Sequence, residues 1–81
     1  MAQPLDTDFE AVVLSAFREV LATEGIVSDT DFFEAGGNSV RAARVVAKLR
    51  RTLDARITIR DLFRNRTPVT LAGVLRDRNA P

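Results

Sequence analysis

Apolar residues recur at helical spacing along most of this 81-residue chain. The clearest repeat forms one face of an amphipathic helix and consists of Phe9, Val12, Val13, Ala16, Phe17, Val20 and Leu21. The same spacing predicts a second helix over about 39–53 and a last helix over about 68–78. A short helix is predicted at about 58–64, with Leu62 and Phe63 facing inward. We therefore expect an all-α fold.

Local signals indicate where the predicted helices begin and end. Thr7-Asp8-Phe9-Glu10 has the S/T-x-x-E form of a capping box, and Gly25 is typical of a helix end. These signals place the first helix at about 8–23. Asn38 or Ser39 is expected to cap the second helix, because both side chains can accept a hydrogen bond from a free backbone N–H.

A long connection separates the first two predicted helices. Residues 24–38 carry four large apolar side chains, which are Ile26, Val27, Phe32 and Phe33. Such side chains favour a loop that packs on the core over one that moves freely in solvent. The predicted architecture is therefore a four-helix bundle of three longer helices and one short helix, with a long structured first loop.

The length allows one domain, which we place at residues 7–78 between a flexible leader (1–6) and a flexible tail (79–81). The chain start has neither the basic residues nor the apolar run of a signal peptide, and no segment approaches the 18 or so apolar residues of a membrane span. We expect a cytoplasmic monomer that binds no membrane.

The sequence has no Cys and no His. A chain without Cys has neither disulfides nor a thiolate nucleophile. Without His, it lacks the commonest general base and the commonest metal ligand. The composition thus argues against catalysis, and we predict no catalytic residue and no metal site.

Charge is distributed unevenly along the chain, although the net charge is only +1. Residues 1–39 contain eight acidic residues and one basic residue, whereas residues 40–66 contain nine basic and two acidic residues. Four of the basic residues form a stripe on the predicted second helix, and they are Arg41, Arg44, Lys48 and Arg51. This stripe is interpreted either as a solvated helix face or as a surface that recognises acidic partners.

The acidic and basic parts meet at Gly36-Gly37-Asn38-Ser39, where a turn leads into the second helix. Ser39 has no base to activate it as a nucleophile acting in this chain. A phosphate attached to Ser39 would be stabilised by the free N–H groups of the helix N-terminus. Ser39 is therefore either a simple cap or an acceptor that another enzyme modifies, and the two glycines would let a visiting active site approach the backbone.

The wider stretch Asp31-Phe32-Phe33-Glu34-Ala35-Gly36-Gly37-Asn38-Ser39-Val40 resembles the attachment motif of carrier proteins. It is most similar to the peptidyl carrier (thiolation) domains of nonribosomal peptide synthetases, and the resemblance covers about residues 8–76. It implies an acyl-carrier-like fold and a 4′-phosphopantetheine arm on Ser39, flanked by Gly37 and Asn38. The implied partners are a phosphopantetheinyl transferase, an adenylation enzyme, and condensation, tailoring or thioesterase enzymes.

The resemblance also implies a docking surface around the second helix. The implied residues are Val40, Arg41, Ala43, Arg44, Leu62 and Phe63. The chain departs from the family pattern at Asn38, where many members have Asp or His, and at Arg41, where the residue is often apolar. It also has Arg66 where Pro is common, a change that is expected to be structurally neutral.

Two alternatives to a peptidyl carrier follow from the sequence. An acyl carrier protein of polyketide biosynthesis is disfavoured by the Phe-Phe and Gly-Gly pairs. A small helical nucleic-acid-binding module would use the basic 40–66 segment. It is disfavoured because the acidic half offsets the basic field and no aromatic residue lies among the basic residues of the second helix.

Overall fold

The structure, a computed structural model, describes residues 8–78, and this part of the chain is helical without strands. The helices are α1 (Phe9–Leu21), α2 (Ser39–Leu53), α3 (Ile59–Arg64) and α4 (Pro68–Arg78). Helix α1 packs against α2 and α4, and the short α3 also packs against α2 and α4. The predicted all-α fold of three longer helices and one short helix is confirmed. The predicted leader 1–6 and tail 79–81 lie outside the described residues.

The ends of α1 differ from the predicted ends. Asp8 is the N-cap, and its side chain accepts a hydrogen bond from the N–H of Ala11 (3.0 Å). The helix stops at Leu21 because Ala22 adopts a left-handed conformation (φ 55°), so Gly25 does not end it. The predicted capping residue Thr7 lies outside the described residues, whereas a complete capping box occurs at Thr58 and Asp61, at the start of α3.

The core draws on all four helices and on the segments between them. Its buried apolar residues are Phe9, Val13, Ala16, Phe17, Ile26, Phe32, Ala42, Val45, Val46, Leu49, Ala55, Ile57, Leu62, Leu71, Ala72 and Leu75. The inward orientation predicted for α3 is correct for Leu62, which is fully buried. It is wrong for Phe63, whose side chain is 46% exposed because α3 is a single short helix with only one face against the core.

The 22–38 loop is held against the helices at several points. Ile26 and Phe32 are buried in the core, as predicted, whereas Val27 is exposed. The Ile26 carbonyl accepts two hydrogen bonds from the Arg18 guanidinium (3.1 and 2.8 Å). The N–H of Val69 donates to the Ser28 carbonyl (3.0 Å), which ties the loop to α4. The loop that leads to Ser39 is therefore part of the packed structure.

None of the helices in residues 8–78 has the length and apolar character that crossing a membrane requires.

A partly buried ion pair fastens α3 to the end of α4. The Arg78 guanidinium donates to both carboxylate oxygens of Asp61, at 2.7 Å for Nη2 to Oδ1. Asp61 also accepts hydrogen bonds from the N–H (2.8 Å) and hydroxyl (3.0 Å) of Thr58. The hydrogen bonds from Arg78, followed by those from Thr58, hold the pKa of Asp61 at about 2, against the opposing effect of burial. Asp61 thus acts as a charged link between two helices.

Acid should weaken this link in a defined pH range. The pKa of Asp61 lies below its ordinary value of 3.8, so its stabilising contribution is present above pH 3.8 and is lost as the pH falls toward 2. We expect Asp61→Asn to reduce the free energy of unfolding at pH 7 and to reduce it much less at pH 2. Urea unfolding at several pH values measures this difference. Asp54→Asn, at an exposed carboxylate, is the matched control, and identical pH profiles for the two variants would contradict the expectation.

Candidate functional site

The segment before α2 forms a compact turn, which we call the serine turn (residues 31–37). The Asp31 carboxylate accepts hydrogen bonds from the N–H groups of Phe33 (2.8 Å) and Glu34 (3.1 Å). The Asp31 carbonyl accepts a further bond from Ala35 (3.0 Å). An aspartate that bonds the backbone two and three residues ahead is a typical turn former. Asp31 therefore fixes the first half of the serine turn.

The two glycines are required by the internal geometry of this turn. Gly36 has φ of +113°, a conformation that residues with a Cβ rarely adopt. A Cβ on Gly37 would lie 2.4 Å from two ring carbons of Phe32 and 2.6 Å from the Phe32 carbonyl oxygen. The sequence suggested that these glycines give access to a visiting enzyme. The structure gives a different reason for the two glycines. A side chain at position 36 would strain the backbone, and one at position 37 would overlap Phe32, so the turn could not close over the Phe32 ring.

Phe32 begins a row of aromatic rings that runs from the core to the surface. Its ring is fully buried and contacts Phe17 of α1 (centroids 4.8 Å apart) and Phe33 (5.1 Å). Phe33 in turn stacks on Phe63 of α3, at 4.8 Å and an interplanar angle of 7°. The Phe32 and Phe33 pair of the motif therefore connects the serine turn both to the core and to α3.

Asn38, not Ser39, caps α2. Its backbone is extended (φ −149°, ψ −177°), and its side-chain oxygen accepts a hydrogen bond from the N–H of Arg41 (2.9 Å). The Asn38 carbonyl accepts from Ala42 (2.8 Å). Asn38 satisfies the Arg41 N–H, whereas the N–H groups of Ser39 and Val40 in the same turn have no intrahelical acceptor.

Ser39 is the first residue of α2 and is exposed. Within residues 8–78, its side chain has no hydrogen-bond partner. The first turn of α2 contains no acidic residue, and Arg41 in that turn donates a hydrogen bond to the Gly36 carbonyl (2.6 Å). A free hydroxyl, two unsatisfied N–H groups, a nearby cation and the positive end of the helix dipole together fit an attached phosphodiester.

The residues expected in the docking surface do not all reach the surface. Val40 is 71% exposed, and Ala43 and Arg44 are exposed on the same helix. Phe63 is half-exposed on α3. Leu62 is fully buried, so its side chain cannot contact a partner. The prediction that Leu62 belongs to the docking surface is therefore wrong. Hydrophobicity alone could not separate Leu62 from Phe63, because the two are neighbours on a six-residue helix.

Arg66 was missed as a contributor to the site. It was expected to be a neutral replacement for proline, yet its guanidinium contacts Asp31 (Nε to Oδ2, 3.1 Å) and lies over the Phe33 ring (5.0 Å). The contact joins residues more than thirty positions apart, and no local pattern in the sequence marks it. Among residues 8–78, no group of three or more acidic residues is arranged to hold a metal ion.

Comparison with known proteins gives this geometry a context. Residues 11–75 match the family described as phosphopantetheine attachment site. A solved nonribosomal PCP (peptidyl carrier protein) domain is 35% identical, with a TM-score of 0.76, and the match covers 84% of this chain and 87% of that one. The chain belongs to the nonribosomal peptidyl carrier domains. This assignment confirms the predicted family and favours it over a polyketide carrier or a nucleic-acid-binding module.

Curated relatives of this carrier domain are much longer proteins. It is 41% identical over 70 residues to PF 1022-synthetase from Rosellinia sp., a match that covers 85% of this chain and 2% of that protein. It is 39% identical over 71 residues to phenyloxazoline synthase MbtB from Mycolicibacterium paratuberculosis, covering 86% and 6%. The chain therefore spans a few per cent of the length of these relatives.

A second solved structure is also similar to the carrier domain. It is described as McyG A-PCP complexed with phenylalanyl-adenylate and is 28% identical to the carrier domain, with a TM-score of 0.79. The match covers 86% of this chain and 11% of that one.

The packing of Phe32 on Gly37 can be tested by adding a methyl group. We expect Gly37→Ala to destabilise the carrier domain by about 1–3 kcal/mol, because the new Cβ would overlap the Phe32 ring and carbonyl. Gly73→Ala in α4 is the matched control, since nothing lies within 4 Å of its added Cβ. Alanine favours helix there by up to about 1 kcal/mol. Urea unfolding measures both changes, and equal effects of the two substitutions would refute the role of Gly37.

Proposed function

We propose that Ser39 carries a 4′-phosphopantetheine arm and that the carrier domain holds an aminoacyl or peptidyl group on this arm as a thioester. The observation that carries the proposal is the exposed, unengaged hydroxyl at the first residue of α2. The family match supports attachment of this cofactor to the domain. When bound, the arm would supply a terminal thiol, which this cysteine-free chain lacks.

The domain would take part in attachment as an acceptor. A phosphopantetheinyl transferase would join the Ser39 oxygen to the pantetheine phosphorus of coenzyme A and break the pyrophosphate bond. Adenosine bisphosphate would leave, and the transferase would accept the hydroxyl proton. Among residues 8–78, no group accepts a hydrogen bond from the Ser39 hydroxyl, so the proposal assigns the base to the partner. The domain acts in this scheme as a non-catalytic carrier.

Residues of the carrier domain would present Ser39 and stabilise the attached phosphate. Asn38 holds the first turn of α2 in place without using the Ser39 hydroxyl. The N–H groups of Ser39 and Val40 are available to the phosphate oxygens, and the positive end of the helix dipole adds to this attraction. The role proposed for Gly37 and Asn38 is to set the position of Ser39, from either side of the turn–helix junction.

An adenylation enzyme is the proposed source of the aminoacyl group. The likeness to a solved structure described as A-PCP complexed with phenylalanyl-adenylate supports this partner. The nonribosomal carrier family supports condensation, tailoring or thioesterase enzymes as the partners that act on the carried group. The domain would therefore meet several enzymes in turn, all through the region around Ser39.

Attachment to Ser39 can be tested by intact mass spectrometry. Incubation with coenzyme A and a promiscuous phosphopantetheinyl transferase should add the mass of one phosphopantetheine to the wild-type domain. Ser39→Ala should gain no mass, because it has no hydroxyl to modify. Ser15→Ala, at an exposed serine of α1, is the matched control and should be modified as the wild type is. An unmodified wild-type domain would refute the proposal.

We further propose that partners dock on a face formed by Val40, Arg41, Ala43, Arg44 and Phe63. Arg44 is the cation of this face that is available to a partner. Arg41 donates to the Gly36 carbonyl, and Lys48, further along α2, pairs with Glu19. Among residues 8–78, Arg44 has no ion pair. Its charge would favour partners with an acidic surface.

Charge reversal tests this docking face. We expect Arg44→Glu to reduce kcat/KM for aminoacylation by the cognate adenylation enzyme about tenfold, because a like charge would then face the acidic partner surface. Arg76→Glu introduces the same charge change on α4 and should leave the rate near that of the wild type. An unchanged rate for Arg44→Glu would exclude Arg44 from the docking face.

A further inference from the structure

Arg66 connects the α3–α4 linker to the serine turn through three separate contacts. Its carbonyl accepts a hydrogen bond from the N–H of Phe32 (2.8 Å). Its Nε lies 3.1 Å from the Asp31 carboxylate, and its guanidinium carbon lies 5.0 Å from the centre of the Phe33 ring. Three consecutive residues of the turn are therefore held by one residue of a distant segment.

The contacts act on the groups that shape the turn. The Asp31 carboxylate that pairs with Arg66 is the same group that accepts from the N–H groups of Phe33 and Glu34. A cation beside that carboxylate helps to keep it in the position from which it accepts both bonds. The Arg66 side chain is 47% exposed and that of Asp31 is 25% exposed, so this pair lies at the surface and is accessible to substitution without opening the core.

Hydrogen bonds within the serine turn connect the contacts of Arg66 to Ser39. The N–H of Gly37 donates to the Phe32 carbonyl (2.9 Å), and the Arg66 carbonyl holds the N–H of the same Phe32. Gly37 is followed by Asn38, which caps α2, and then by Ser39. Arg66 makes no hydrogen bond or ion pair with Ser39 among the described residues, so we argue its influence on the serine through the turn.

We propose that Arg66 is a positioning residue, which holds the serine turn in the conformation that presents Ser39 to the enzyme that modifies it. This proposal rests on the proposed attachment of phosphopantetheine to Ser39. If some of the molecules have the turn in another conformation, the modifying enzyme binds the carrier domain with lower apparent affinity. The affinity falls in proportion to the fraction of molecules that keep the competent conformation. The rate of transfer within the assembled complex does not change.

The experiment compares Arg66→Gln and Arg66→Lys with Arg64→Gln. Arg64 is an exposed arginine at the end of α3 with no ion pair among residues 8–78, so its variant makes the same charge change nearby. Each variant is first confirmed to be folded by circular dichroism. The measurements are amide hydrogen exchange in the unmodified domain, and kcat and KM for phosphopantetheinyl transfer followed by intact mass.

For Arg66→Gln, we expect about tenfold faster exchange at the N–H groups of Phe33 and Gly37, because the turn opens locally while the helices keep their protection. We expect the KM for the carrier domain to rise about twofold with kcat unchanged, because a surface contact of this kind leaves about half of the molecules with the turn closed when it is lost. Arg66→Lys, which keeps the charge, should be intermediate, and Arg64→Gln should match the wild type.

A double-mutant control and the pattern of kinetic changes distinguish failure of the positioning role from failure of the proposed function. In the Asp31→Asn background, Arg66→Gln should raise KM less than it does alone, because its charged partner has been removed. Equal KM and exchange rates for Arg66→Gln and Arg64→Gln would overturn the positioning role while leaving the proposed function intact. A fall in kcat without a rise in KM would also overturn it. A wild-type domain that gains no phosphopantetheine would instead refute the proposed function.

Discussion

The burial of Phe32 is the constraint on which the rest of the site depends. Its ring lies fully inside the core against Phe17, while its backbone belongs to the turn that leads to Ser39. Burying a phenylalanine side chain stabilises a fold by roughly 1.5–3 kcal/mol, which is a large share of the stability of a domain this small. The same side chain also fixes the turn, because the chain must pass directly over the ring at Gly37. One residue therefore contributes both to the stability of the core and to the placement of the serine.

Much of this arrangement could be predicted from the sequence. Helical spacing of apolar residues reports burial over three or four turns, so the bounds predicted for α2 (39–53) and α4 (68–78) agree with Ser39–Leu53 and Pro68–Arg78. The end of α1 was wrong because a left-handed Ala22 terminates the helix, and alanine gives no signal of that conformation. The identity of the capping residue was left open between two side chains that cap equally well.

The contacts that hold the turn could not be predicted in this way. Arg66 and Asp31 lie far apart in the chain, and only the packing of the whole fold brings them to 3.1 Å. Leu62 and Phe63 are both apolar neighbours, and their opposite exposures depend on which face of α3 meets the core. Local patterns therefore located the serine and its helix, whereas the support of the serine turn and the exposed surface around it follow from tertiary structure.

Some of the unevenly distributed charges of the sequence form ion pairs within the domain. Two ion pairs, Glu19 with Lys48 and Asp31 with Arg66, join the acidic first half to the basic segment that follows it. These pairs favour the approach of α1 and the serine turn to the rest of the fold, although each pair is partly exposed and contributes modestly. The field that a partner meets is weaker than the sequence suggests, and it is concentrated at cations such as Arg44 that have no ion pair among residues 8–78.

Asn38 and Ser39 have different roles at the start of α2, and this difference leaves the Ser39 hydroxyl exposed for the proposed attachment. Either side chain is able to cap a helix, and a capping serine would direct its hydroxyl oxygen at a backbone N–H. In this structure Asn38 accepts that hydrogen bond from Arg41, which moves Ser39 one residue into the helix and leaves its hydroxyl exposed. Asn38 thereby stabilises the N-terminus of α2. The free N–H groups and the positive end of the helix dipole remain available at Ser39. Under the proposed function, this exposed hydroxyl is what a chain without histidine or cysteine offers as an acceptor, provided that the turn before Asn38 is held in place.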